Sequence, residues 1–157
     1  MSAKLVTYRS YWKDSFEYLN RLWLEEFFEV EPADEAVFKD PYSSIIEPGG
    51  QIFFVLDPET PVGTCAVIPV SNDEFELSKM AVEPAYRRQG YGAKLMEAAL
   101  NFAREAGTQK ITLSTHTKLS NAIRLYQRYG FRKIPYTQDS RYQKCNVRME
   151  LSLKTIS

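Results

Sequence analysis

Apolar residues recur along this chain with two periods, and the switches between them outline its elements. Leu5 to Tyr8 alternates and predicts a short strand. From about Trp12 to Phe28, the residues Trp12, Phe16, Leu19, Trp23 and Phe27 recur at steps of four, three, four and four, which is one helical face. Pro32 ends or kinks that helix, and Asp34 to Phe38 fits a second, shorter one. Glu47-Pro-Gly-Gly50 is a turn. Ile52 to Leu56, Gly63 to Val70 and Phe75 to Val82 are three strands separated by loops, as in an antiparallel meander.

The period changes after Pro84. Leu95, Ala99, Phe102 and Ala106 keep helical spacing, and Gly107 suits a C-terminal cap. Lys110 to Thr115 is a β-branched strand, so Phe75 to Thr115 reads as a right-handed βαβ unit with parallel strands. A helix from about Ser120 to Tyr129 ends at Gly130, and Phe131 to Pro135 and Asn146 to Leu153 close the chain as strands. The order β-α-α-β-β-β-α-β-α-β-β predicts one α/β (α+β) domain over residues 1–157. Its sheet is mixed and mostly antiparallel, flanked by about four helices. Strand alternation places Glu76, Ser78 and Met80 on one face and Phe75, Leu77 and Ala81 on the other, barring a bulge.

Composition narrows the function classes. The chain has 157 residues, 20 basic and 20 acidic, with 44% hydrophobic positions, which excludes a disordered chain. Zero net charge argues against a nucleic-acid partner. No apolar run approaches a membrane span, and the opening segment lacks a signal-peptide core, so a cytoplasmic location away from membrane is expected. Cys65 and Cys145 form neither a disulfide framework nor, with the single His116, a metal site. Aromatics reach 13%, above expectation for a domain of this kind.

The densest chemistry lies at Val82-Glu-Pro-Ala-Tyr-Arg-Arg-Gln-Gly-Tyr-Gly-Ala-Lys94. A strand ends, Arg87 and Arg88 follow, and Gly90-x-Gly92 opens a helix. Glycines let backbone N–H groups approach an anion, and a helix N-terminus adds free donors and partial positive charge. A phosphate or pyrophosphate suits this turn; the plainer alternative is a glycine turn with two solvated arginines. The spacing fits neither a P-loop nor a dinucleotide fingerprint, because Leu95 stands where a third glycine is needed.

Leu77 to Met96 resembles the acetyl-CoA-binding signature of GNAT-type N-acetyltransferases, roughly V-x-P-x-x-R/Q-x-x-G-x-G/A. Ala122-Ile-Arg-Leu-Tyr126-Gln-Arg-Tyr-Gly130-Phe131 is similar to a second block of that family, A-x-x-L-Y-x-x-x-G-F, at the usual separation. The resemblance covers about residues 63–135 well, and it implies an acetyl-CoA-binding core there. It implies that the two parallel strands splay apart and that the backbone at Met80, Ala81 and Val82 holds the pantetheine arm. Arg87, Arg88, Gln89, Gly90, Tyr91, Gly92 and Ala93 would cradle the pyrophosphate. Acetyl-CoA would be the acyl-donor substrate, with no metal.

The same resemblance implies roles for two side chains. Tyr126 matches the tyrosine that can protonate the leaving thiolate; otherwise it is a core tyrosine. Glu76 stands where the family often places a general base, and is otherwise a solvated strand residue. Many members carry Asn where this chain has Leu119, so Asn121 two residues on is the substitute cofactor contact, or only a helix-start residue. His116 is either a base near the acyl cleft or a polar loop residue.

The regions that build the acceptor cleft in the resembled fold are aromatic here. Most of these residues read as core, while Tyr42, Tyr136 and Tyr142 are pocket candidates. Glu25, Glu26, Glu29 and Glu31 would attract a cationic amine, or are only a solvated helix face, whereas Arg141 would bind a carboxylate, so the acceptor stays open. The expected activity is acetyl transfer from acetyl-CoA to a primary amine of a small molecule or peptide N-terminus, by direct attack in a ternary complex. The alternative is a non-catalytic acyl-CoA-binding module or sensor. Homodimers are common in the family, but no residue here marks an interface.

Overall fold

The computed structural model describes residues 3–138 and 141–153. Met1 and Ser2, part of the segment read for an export signal, lie outside them. The elements are β1 (Lys4–Thr7), α1 (Lys13–Phe27), α2 (Pro32–Lys39), β2 (Gln51–Leu56), β3 (Pro61–Ser71), β4 (Glu74–Val82), α3 (Tyr91–Glu105), β5 (Lys110–Thr115), α4 (Ser120–Arg128), β6 (Arg132–Ile134) and β7 (Val147–Ser152). This is the α/β order expected from the period analysis. Short helical turns at Ser10–Trp12, Tyr42–Ile46 and Pro84–Tyr86 complete the described elements.

The strands form one seven-stranded sheet in the order β1-β2-β3-β4-β5-β7-β6. Only β4 and β5 pair in parallel; the other neighbours are antiparallel. Each face of the sheet has its own apolar cluster. One gathers Phe53, Val67, Leu77 and Ile111 beneath Leu95, Met96 and Ala99 of α3. The other gathers Ile52, Phe54 and Ala66 beneath Phe16 and Leu24 of α1 and Phe38 of α2. Period-two alternation along β2 supplies both, because Phe53 and Val55 face one way and Ile52, Phe54 and Leu56 the other.

Two readings shift in detail. The buried face of α1 is Phe16, Leu19, Asn20 and Leu24, so Trp23 and Phe27 sit at its margin rather than at its centre. Pro32 does not end α1; that helix stops at Phe27, and Pro32 occupies the first turn of α2. There its missing N–H costs nothing, and Asp34 Oδ2 accepts the Glu31 N–H at 2.9 Å as a helix-start cap.

Candidate active site

β4 and β5 pair only from Glu74↔Lys110 to Glu76↔Thr112, and then part. From there β4 continues against β3 alone and β5 against β7 alone. The parting opens a cleft of about 1340 Å³. Its walls are β4 from Glu76 to Val82, the end of β5, the starts of α3 and α4, and the aromatic end of α1.

A bulge in β4 shapes this opening. Thr64 pairs with Ala81 and Ala66 with Ser78, so Lys79 and Met80 together face the single residue Cys65. Lys79 takes the left-handed region, with φ 55°. A non-glycine residue there costs about 1–2 kcal/mol. The bulge overturns the simple alternation: Met80 packs with the α3-side cluster that holds Phe75 and Leu77, not with Glu76 and Ser78. Ala81 pairs with Thr64 and so turns to the opposite face from Leu77.

The strained Lys79 is tied down by a buried ionic network. Its Nζ pairs with Asp34, which is fully buried, and donates to the Tyr142 hydroxyl at 3.3 Å. Lys144 Nζ reaches Asp34 Oδ2 at 2.6 Å and Glu31 Oε2 at 2.9 Å. Glu31 also accepts the Gln143 N–H at 2.8 Å. Burial alone would raise the carboxyl pKa values of Asp34 and Glu31, but Lys79 and Lys144 hold Asp34 below its ordinary value and Lys144 holds Glu31 below its own. The Tyr142 ring centroid lies 4.8 Å from the Lys79 ammonium and 4.5 Å from the Lys144 ammonium. Burial and the nearby Asp34 push its phenol up to about 12.

Nothing in the apolar pattern singles out Lys79, Asp34 or Lys144. The readable trace was local: Glu31 and Asp34 bracket a proline in the manner of a helix start. The acidic cluster divides among several cations. Glu31 is taken by Lys144, Glu26 lies 3.8 Å from Arg87, and Glu25 lies 3.9 Å from Arg21, so these three are partnered rather than gathered toward an amine.

At the other end, Pro84–Tyr86 turns the chain, and Arg88 (φ 66°) and Gly90 (φ 83°) adopt left-handed backbone before α3. Gly90 is the N-cap of α3 and, among the described residues, no side chain caps this helix start, so the N–H groups of Tyr91, Gly92 and Ala93 lack intrahelical partners where these residues line the cleft. Gly90 is needed for its φ rather than for space, since an added Cβ would meet nothing within 4 Å. Arg87 and Arg88 are exposed beside these donors. Gln89, which follows them, is exposed too. The Tyr91 ring turns inward and its hydroxyl donates to Asp57, so Tyr91 faces the mouth through its backbone.

Deeper in, Tyr126 of α4 is buried against Phe131, with centroids 5.9 Å apart, and lines the cleft. Burial, and then the neighbouring Cys65, raise its phenol pKa well above the ordinary value, so it keeps its proton at neutral pH. Among the described residues its hydroxyl makes no hydrogen bond, which leaves it available to a ligand. Cys65 is a buried thiol donating to the Leu95 carbonyl at 3.7 Å, and burial raises its pKa.

Glu76 is buried at the base of the parting strands, and Arg141 Nη2 lies 3.5 Å from its Oε1. Asn121 is exposed at the cleft edge and pairs with Arg124. His116 lines the cleft edge-on to Phe28, at 5.4 Å. Its Nδ1 accepts the Lys118 N–H at 3.0 Å. Of the three pocket tyrosines expected, Tyr142 lines the cleft, while Tyr42 and Tyr136 do not. Trp23, Phe27 and Phe28 supply its apolar wall. Among the described residues no group of three or more His, Cys, Asp or Glu could hold a metal, and no helix is long and apolar enough to cross a membrane.

Comparison with known proteins bears on this geometry. A family model described as the acetyltransferase (GNAT) family matches residues 9–131. The uncharacterized N-acetyltransferase YjgM of Escherichia coli K12 is 34% identical over 112 residues, which cover 69% of this chain and 67% of YjgM. The chain spans less than half the length of the animal N-acetyltransferases that it also matches. A GNAT-family acetyltransferase from Staphylococcus aureus Mu50 superposes with a TM-score of 0.88 at 22% identity, over 98% of this chain and 100% of that one. The yncA protein of Salmonella typhimurium, solved with its cofactor acetyl-CoA, superposes with a TM-score of 0.78 at 16% identity, over 100% of this chain and 97% of its own.

Proposed function

This chain belongs to the acetyltransferase (GNAT) family, and from that premise we propose that it moves an acetyl group from acetyl-CoA to a primary amine of a small molecule or peptide. The observation that carries this reading is the cleft itself. One continuous opening joins an anion-suited helix start to a buried carboxylate and a protonated, unbonded phenol.

The donor set suits acetyl-CoA. The N–H groups of Tyr91, Gly92 and Ala93, with Arg87 and Arg88 beside them, match a pyrophosphate in charge and hydrogen bonding. The edge of β4 at Met80, Ala81 and Val82 has no partner from β5, which suits an arm bearing amide groups. Asn121 would add a contact at the edge. Bound acetyl-CoA supplies an activated acetyl thioester, and transfer exchanges its C–S bond for a C–N bond.

The residues of this chain would then handle two protons. An amine arrives mostly as ammonium, since such groups titrate near ~10.4. Glu76 accepts the first proton and passes it to solvent, leaving the nitrogen lone pair free. Tyr126 donates its proton to the departing thiolate, and regains one as the newly acylated nitrogen sheds its second. The products are the amide and the free thiol.

The test is release of free thiol from acetyl-CoA across a panel of amines, with Glu76→Ala and Tyr126→Phe beside the unaltered chain. Amine-dependent release that falls by about 10²-fold or more in Tyr126→Phe, with acetyl-CoA binding retained, is expected. Turnover of Tyr126→Phe at the unaltered rate removes that residue from proton transfer. Tight acetyl-CoA binding without release on any amine would replace the enzyme reading with the acyl-CoA sensor.

A further inference from the structure

The end of α1 leaves three large aromatic rings, Trp23, Phe27 and Phe28, half-buried on the cleft wall instead of in the core. Trp23 and Phe28 meet edge to face, with centroids 6.1 Å apart and planes at 89°, and Phe27 lies 6.4 Å from Phe28. The fully buried Asn20 fixes this wall: its Nδ2 donates to the Phe16 carbonyl at 3.0 Å, and its Oδ1 accepts the Trp23 ring N–H at 3.2 Å. The three rings therefore offer a ligand no hydrogen bond, since Phe27 and Phe28 have no polar side-chain atom. Phe28 also meets the ring of His116, the residue that follows β5, so the wall stands where β4 and β5 have already parted.

An amide-bearing arm gains nothing from a wall without donors or acceptors, and the bare β4 edge at Met80 to Val82 suits it better. An ammonium is drawn to ring faces, but lysines already stand there. Lys118 Nζ lies 5.4 Å from the Phe28 centroid, and the Tyr142 centroid has Lys79 at 4.8 Å and Lys144 at 4.5 Å. A polycation fares worse. Among the described residues that line the cleft, Glu76 is the only carboxylate, and it lies 3.5 Å from Arg141. Asp34 and Glu31 are balanced by Lys79 and Lys144, so a second ammonium finds no carboxylate of its own there. An aryl group suits the wall in both respects. It needs no hydrogen bond, covers the exposed ring surface, and adds the edge-to-face contact that Trp23 and Phe28 already make with each other. We infer that the acceptor is an arylalkylamine, a monoamine whose aromatic ring is received by Trp23, Phe27 and Phe28. The inference rests on the acetyltransferase reading and specifies its acceptor.

The experiment compares phenethylamine, 2-cyclohexylethylamine, ethylamine and spermidine as acceptors, by thiol release and product mass. Phenethylamine should exceed ethylamine and spermidine by about ten- to hundredfold in kcat/KM, as burial of one phenyl group supports. It should exceed 2-cyclohexylethylamine by about two- to tenfold, through ring–ring contact. Phe28→Ala should shrink the advantage over ethylamine by about fivefold or more, through KM for the amine rather than for acetyl-CoA. Phe28→Leu keeps apolar bulk and should restore the advantage over ethylamine but not the one over 2-cyclohexylethylamine. Phenethylamine no better than ethylamine or 2-cyclohexylethylamine, a preference for spermidine, or an advantage that survives Phe28→Ala would each overturn the inference and leave the transferase reading intact. So would a Phe28→Ala variant that changes only KM for acetyl-CoA, which assigns the wall to the pantetheine arm. Thiol release on none of the four, or on any wider amine panel, would overturn the transferase reading itself.

Discussion

The two ends of the cleft are built by different means. Where α3 begins, the site is backbone: a 3₁₀ turn, two left-handed residues and a row of helix N–H groups, all within about ten consecutive positions. Beneath α1 and α2 it is side chain: Glu31 and Asp34 from the start of α2, Glu76 and Lys79 from β4, and Arg141 to Lys144 from the segment between β6 and β7. At the first end Arg87, Arg88 and Gly90 are exposed while Tyr91 is buried, so the two arginines can be altered without loosening the fold. The second end is buried, and its charges are tolerable only together. Binding and stability are thus separated along one cleft.

Removing a member of the buried network should break the comparison most strongly. Asp34→Ala leaves Lys79 and Lys144 facing each other without their shared carboxylate, and should lower unfolding free energy by about 3–5 kcal/mol in urea titration. Because Asp34 anchors the residue at the β4 bulge, the same variant should also weaken acetyl-CoA binding, although it touches no part of the helix start. A variant of unaltered stability would show that Lys79 holds its backbone without that partner.

The reciprocal change should act on binding alone. Replacing Arg87 and Arg88 together by alanine should raise the acetyl-CoA dissociation constant by about tenfold, more at low salt than at high, with stability changed by no more than about 0.5 kcal/mol. Arg87 gives up only an exposed contact with Glu26 in this change. Isothermal titration at two ionic strengths and a thermal melt read the two quantities. Unchanged affinity would mean that the backbone donors suffice.

A smaller effect concerns pH. Asp34 and Glu31 have ordinary values of 3.8 and 4.5, and in the folded protein both are lowered. Their contribution to stability is therefore complete above those values and is lost as pH falls through the depressed folded ones. Stability should decline below about pH 4, and Glu31→Gln should flatten that acid limb. An acid limb equally steep in the variant would assign the decline to other carboxylates.

Most of the fold was legible because it is periodic. The strand and helix order came from steps of two and of three to four, and Leu95, Met96 and Ala99 lie in the core as that pattern requires. The helix-start turn was legible because Arg87 to Ala93 is contiguous. The same reasoning failed at Met80, since a bulge adds one residue and reverses every face beyond it, and a strand pattern does not announce where that happens.

By itself, then, the sequence determined what depends on near neighbours: the elements, their order, the apolar faces and the glycine-bearing turn before α3. Only the tertiary structure decided that Asp34, Lys79, Lys144 and Glu31 neutralise one another, and that Arg141 lies within 3.5 Å of Glu76. The physical reason is range. Periodicity and turn chemistry act over a few residues, where spacing along the chain equals spacing in space. A buried charge finds its partner across the sheet, at a sequence distance that carries no information, and only the folded chain brings the two within reach.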